Sequence, residues 1–167
     1  AVTGAVSPMD RRLQPLVTNP DFYTNQFNLA GKVGIVTGAG GYLGAAMTMG
    51  LTAQGAIVYA LGRDDEKIKT KLHTSENVVA DRIIPIACDV GIEKQVQDVV
   101  DRIIKAHGKI DFLINNAFSE KRKPFEHLEV GDWNDGMDGI LTSQFICSKV
   151  VIPSMVKYGG GAVVNIA

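Results

Sequence analysis

The stretch VGIVTGAGGYLG, Val33 to Gly44, constrains this chain most. A short apolar run ends at Thr37, a glycine-rich turn follows, and an apolar helical pattern begins inside that turn. A strand passing into a helix this way aims the helix's free N–H groups at whatever lies beyond the strand tip. The helix dipole adds partial positive charge there, worth about 0.3–1 kcal/mol to an anion. Gly38 permits the tight turn, Gly40 and Gly41 let backbone approach a pyrophosphate, and Gly44 allows close helix–strand packing. Tyr42 and Leu43 open the helix and complete the candidate cradle. A GxGxxG pattern from Gly38 fails, because Leu43 stands where the third glycine belongs. TGxxGxxG fits, through Thr37, Gly38, Gly41 and Gly44.

The remainder alternates in period. After the helix, from about Gly41 to Gln54 with Leu43, Met47 and Leu51 on one face, Ala56 to Leu61 reads as a second strand. A short polar helix spans Asp64 to His73, and Arg82 to Ala87 is a third strand whose Pro85 argues for a sheet edge. Ile92, Val96, Val99, Val100, Ile103 and Ile104 mark an amphipathic helix closed by Gly108. Ile110 to Ile114 is a fourth strand, and a charged loop runs to about Asp132. A long helix follows, carrying Ile140, Leu141, Phe145, Ile146, Val150 and Val151, with a kink expected at Pro153. The closing GGGAVVNIA is a glycine turn and a fifth strand that stops short. Such alternation predicts βαβ units, hence an α/β fold: a doubly wound parallel sheet of five strands in a three-layer α/β/α arrangement. Residues 29–167 form this domain, and residues 1–28, punctuated by Pro8, Pro15 and Pro20, read as an irregular arm or tag remnant.

Composition excludes several classes. Seventeen Lys/Arg against eighteen Asp/Glu leave a net charge of −1, so no global field favours nucleic acid or acidic membranes. The basic run Lys121–Lys123 reads as a solvated loop. Cys88 and Cys147 stand in apolar contexts without metal-ligand spacing, and the three histidines are scattered, so buried reduced thiols and no metal are expected. No apolar run of bilayer length and no leader pattern is evident, which points to the cytoplasm with no membrane partner.

Further motifs recur in register with the first turn. Cys88-Asp89-Val90 follows the third strand, Asn115-Asn116-Ala117 the fourth, and Val164-Asn165-Ile166 lies in the fifth. Together with Thr37-Gly38 these resemble the short-chain dehydrogenase/reductase family, from about Lys32 to Ala167. The resemblance implies a Rossmann-type domain binding NAD(P). It implies that Asp89 accepts from the adenine amine beside the Val90 backbone, that Asn116 and Ala117 line the ribose, and that Asn115 ties strand four to its neighbours. Three positions depart from the family pattern: the middle glycine comes at Gly41 rather than at Tyr42, Phe118 replaces a glycine, and Ile140 replaces an Asn that helps anchor a proton-relay water.

The second strand ends in VYALGRDDEK. Gly62 at its tip leaves room, and Arg63 can pair with a phosphate bidentately, which favours NADP, with NAD the alternative. Asp64 is the competing ribose acid, although it suits the cap of the next helix better. Reduction of a carbonyl also needs a proton donor. The family resemblance assigns it to Tyr in YxxxK, assisted by Ser. Residues four beyond Tyr23, Tyr42, Tyr59 and Tyr158 are Phe27, Ala46, Arg63 and Ala162, so no catalytic residue is assigned here and both are expected after Ala167. The implied function is hydride transfer between nicotinamide and a small-molecule alcohol or carbonyl, in a homo-oligomer when full length, with this chain alone inactive. Two alternatives stand: a sugar-nucleotide epimerase or dehydratase, from the TGxxGxxG spacing, and a non-catalytic dinucleotide-binding module.

Overall fold

The computed structural model describes residues 28–73, 80–118 and 123–166. The arm up to residue 27, Lys121, Arg122 and Ala167 lie outside the described residues. Five strands form one parallel sheet: β1 (Val33–Thr37), β2 (Ile57–Gly62), β3 (Ile83–Ala87), β4 (Phe112–Asn115) and β5 (Ala162–Asn165). Their order is β3-β2-β1-β4-β5, so the sequence order reverses between β1 and β4. β3 lies at the edge, where Pro85 costs no interior ladder bond.

Alternation along each strand divides the core in two. Val33, Ile35, Tyr59 and Leu61 face helix α3 (Glu93–His107) and helix α5 (Ser143–Lys157), which supply Val96, Val100, Ile103, Cys147, Val150 and Val151. Val36, Val58 and Ala60 face the other way, toward helix α1 (Tyr42–Ala53) and helix α2 (Asp65–His73), which supply Ala45, Ile68 and Leu72. A sheet covered on both faces explains strands that read as nearly unbroken apolar runs.

Two local expectations are corrected. The apolar face read along α1 is only partly the packed one: Leu43 is 53% exposed and Met47 and Leu51 are half-buried against the core, while Gly44, Ala45, Thr48 and Thr52 are fully buried. Small residues let this helix lie close on the sheet. The Thr48 and Thr52 hydroxyls are satisfied inside, donating to the carbonyls of Gly44 and Thr48 at 2.8 and 2.9 Å. The long helix also starts earlier than expected, as α4 (Val130–Met137). A capping box sets that start, the Asp132 carboxylate accepting from the Glu129 N–H at 3.1 Å. A π-helical turn, Asp138–Thr142, joins α4 to α5, which continues past Pro153. By length and composition alone the helix Val130–Lys157 could cross a membrane. Its Ile146, Val150, Val151 and Met155 are instead used in the sheet core.

Asp111 pins the other end of the sheet. Its carboxylate accepts from the Val33 N–H at 2.9 Å and from the Lys32 and Lys109 ammonium groups at 3.0 Å each. Burial alone would raise this carboxyl. The Val33 N–H and the two lysines outweigh burial and hold it below its ordinary value. A depressed carboxyl stabilises the fold fully above its unfolded pKa of about 3.9, and that stabilisation is lost as pH falls through the lower folded value. Asp111→Asn is expected to lower stability near neutral pH by about 1 kcal/mol and to flatten the acid limb of unfolding. Urea unfolding across pH checks both, and an unchanged acid limb would contradict the assignment.

Candidate functional site

An open cleft of about 1220 Å³ lies at the carboxyl ends of the strands, over the point where strand order reverses. Parallel sheets accept ligands there because neighbouring connections leave toward opposite faces. Gly38, Gly40, Gly41, Tyr42, Leu43, Gly44, Arg63, Asp89, Val90, Asn116 and Ala117, the candidates named from sequence, all line this one cleft.

Its floor is the turn between β1 and α1. Gly38 is left-handed, with φ +66°, and a Cβ there would sit 2.9 Å from the Ala117 Cα. At Gly44 a Cβ would lie 2.3 Å from the Gly38 carbonyl oxygen, so only glycine lets α1 start this close to the strand. Gly40 differs: its nearest protein neighbour would be Ile68 at an ordinary 3.5 Å. Packing within the protein therefore accounts for Gly38 and Gly44 but not for Gly40, which borders the cleft. Helix α1 has no side-chain cap and no acid in its first turn. The N–H groups of Tyr42, Leu43 and Gly44 have no intrahelical acceptor and stay available to an anion.

Thr37 locks the floor to β4. Its buried hydroxyl accepts the N–H groups of Asn116 and Ala117, both at 2.9 Å. The Asn116 amide donates back to the Thr37 carbonyl at 3.1 Å. Asn115 reaches sideways instead, donating to Asn165 at 2.8 Å and Ser148 at 3.3 Å, which binds β4 to β5 and α5.

The walls are polar toward β2 and β3. Asp89 makes its own turn, one carboxylate oxygen accepting the Gly91 N–H at 3.0 Å, while its own N–H donates to Gln95. Asp64 caps α2, its Oδ1 accepting the Lys67 N–H at 3.0 Å. Tyr42 is 87% exposed at the mouth, with the Lys71 ammonium 3.7 Å from its ring centroid. Cys88 borders the cleft yet is buried, and burial followed by the charge of Asp89 pushes its thiol up to about 11. Burial, with Cys88 nearby, pushes Cys147 up to about 12, so neither supplies a thiolate at neutral pH.

The cleft also takes in residues the sequence reading did not assign to it: Lys67 and Ile68 from α2, Asp135 from α4, Asp138 and Gly139 from the π turn, and Ser143. Lys67 stands one helical turn beyond Arg63, and that spacing was the available signal. The π turn left no such signal, since nothing in its composition departs from an ordinary helix.

Two glycines separate the requirements of fold and ligand. Gly44→Ala is expected to destabilise by about 2–3 kcal/mol, because the new methyl must displace backbone. Gly40→Ala should leave stability within about 0.5 kcal/mol. Denaturant midpoints of the two variants check this, and equal losses would contradict it.

Residues 32–167 match the family model described as short chain dehydrogenase. Among curated proteins the chain is similar to a 2-dehydro-3-deoxy-D-gluconate 5-dehydrogenase of Formosa agariphila, 37% identical over 84% of this chain and 53% of that protein. A D-threitol dehydrogenase of Mycolicibacterium smegmatis is 33% identical over 84% of this chain and 54% of that protein. The chain spans about half the length of the curated relatives it matches. Solved structures agree. A short-chain dehydrogenase/reductase of Burkholderia xenovorans superposes with a TM-score of 0.74 at 30% identity, covering 84% of this chain and 57% of that one. A metagenomic short-chain oxidoreductase in complex with NADP gives 0.72 at 26% identity, covering 84% and 63%. The NAD+-bound xylitol dehydrogenase gives 0.72 at 30% identity, covering 82% and 53%. The glycine turn, the parallel sheet and the cleft at its reversal thus belong to a chain that is a member of the short-chain dehydrogenase family.

Proposed function

We propose that this chain is the cofactor-binding part of an NAD(P)-dependent oxidoreductase that moves a hydride between nicotinamide and an alcohol or carbonyl. The observation that carries the reading is the open turn at Gly38–Gly44, whose Gly40 is spared by packing and whose helix start is uncapped. In this reading Gly40, Gly41 and the N–H groups of Tyr42, Leu43 and Gly44 hold the pyrophosphate. Asn116 and Ala117 line the ribose, held in place through Thr37. The Asp89 oxygen not engaged by Gly91 takes the adenine amine, with Val90 beside it. The bound cofactor supplies the hydride; these residues bind and orient it. The chain has no Tyr-x-x-x-Lys, so the proton donor is assigned to residues outside it.

NADP is the preferred cofactor in this reading, with NAD the alternative. The structural relatives include one bound to each, so the choice rests on the tip of β2. Gly62 leaves space there, Arg63 borders the cleft, and Asp64 is occupied as a helix cap. Dehydrogenases acting on sugar acids and polyols among the relatives support a small polar substrate. We place the protein in the cytoplasm, without membrane or nucleic-acid partners. Trp133, Met137, Leu141, Phe145, Ile152 and Val156 leave an exposed apolar seam along the long helix, which supports a homo-oligomer.

Titration with NADPH and NADH by calorimetry tests the cofactor reading. Both are expected to bind, NADPH more tightly, without turnover by residues 1–167 alone. Gly40→Val should abolish binding while leaving the fold intact. Tight NADH binding with no preference for NADPH would overturn the NADP assignment, and turnover by this chain alone would overturn the assignment of the proton donor. In the full-length protein, Phe145→Lys should shift light-scattering mass toward smaller species; an unchanged mass would remove the seam from the interface.

A further inference from the structure

Resting on the NADP reading above, we infer that Lys67 is a second specificity residue, a cation from α2 that pairs with Arg63 on the cofactor's 2′-phosphate. A dianionic phosphate held by one exposed guanidinium is weakly discriminated, and the glycine turn itself carries no basic residue. The fold supplies one from the neighbouring helix. Lys67 borders the same cleft as Arg63 and Gly40. A Cβ on Gly40 would meet the Lys67 Cγ at 3.7 Å and Cδ at 3.8 Å, so the lysine stem lies along the turn.

Charges in this segment are sorted by partner. Asp65 and Glu66 hold the Lys69 ammonium at 2.9 and 2.5 Å. Asp64 also lines the cleft, but its Oδ1 accepts the Lys67 backbone N–H. Among the described residues, Arg63 and Lys67 have no ion-pair partner. Two cations without partners thus stand on either side of an acid committed to a cap. A ribose carrying a 2′-phosphate meets both cations, whereas an unmodified ribose finds at the strand tip only Asp64, one of whose oxygens is committed to the helix cap. Lys71, one turn further, stacks on Tyr42.

The test measures dissociation constants of NADPH, NADH and 2′,5′-ADP for the full-length protein at low and high salt. Lys67→Gln keeps length and helix propensity while removing charge. It is expected to weaken NADPH and 2′,5′-ADP about tenfold, flatten their salt dependence and leave NADH within about twofold. Lys67→Arg should restore affinity. If Lys67→Gln leaves NADPH unchanged while Arg63→Ala weakens it, the inference fails and the NADP reading stands. Equal weakening of NADH and NADPH would mark Lys67 as structural and also overturn it. Preference for NADH, with both variants silent, would overturn inference and cofactor reading together.

Discussion

One buried hydroxyl holds this architecture at its point of greatest divergence. β1 and β4 are neighbours in the sheet, yet the helices that follow them leave toward opposite faces, and the gap between the two tips becomes the cleft. Two N–H groups just past β4, at Asn116 and Ala117, have no ladder partner there. The Thr37 hydroxyl accepts both, and the Asn116 amide returns a bond to the Thr37 carbonyl. Without that hydroxyl, two N–H groups would lose their acceptor, at about 1–3 kcal/mol each where they are buried. The same bonds place Ala117 within contact of Gly38, so the geometry of the glycine turn is inherited from this tie.

What could be read from sequence was whatever depends on local pattern. The strands, the turn at Gly38–Gly44, the stop at Gly108 and the edge position of Pro85 follow from backbone freedom and alternation, which neighbours in sequence determine. The buried face of α1 was not legible. Hydrophobicity pointed to Leu43, Met47 and Leu51, but a helix that begins beside Gly38 puts its small residues closest to the sheet, with Met47 and Leu51 packed at the flank and Leu43 left exposed. The cleft candidates emerged because each lies immediately after a strand, and parallel strands end together. Lys67 did not emerge, because its place depends on how α2 lies against the turn. The four-residue spacing from Arg63 hints at a shared side, but residues 63–69 alone do not encode that contact.

The walls that surround the cleft are chemically quiet. Cys88 and Cys147 sit in one apolar core, where burial raises both thiols, Asp89 adding to it at Cys88 and Cys88 at Cys147, so no soft nucleophile competes at neutral pH. Asp89 and Asp64 each commit an oxygen to local backbone. Such groups orient a ligand without reacting with it, which suits a site whose chemistry arrives with its cofactor.

The far end of the cleft carries the departure that matters most for proton movement. Ile140 has no polar side-chain atom where the family resemblance implies an amide, and it lies in the π turn Asp138–Thr142. Its carbonyl accepts the Ser143 hydroxyl at 3.0 Å, and Ser143 also reaches the Gly139 carbonyl at 3.2 Å. A π turn widens the helix and loosens its carbonyls from the regular ladder. Here a serine three residues on takes up that loosened backbone. The polar groups at this end are therefore main-chain oxygens already shared with a hydroxyl, beside the Asp135 and Asp138 side chains. Asp138 in turn accepts from Thr142 at 2.9 Å. Position 140 thus offers no amide side chain, and the polar groups of this turn are the Gly139 and Ile140 carbonyls, the Thr142 and Ser143 hydroxyls and the carboxylates of Asp135 and Asp138.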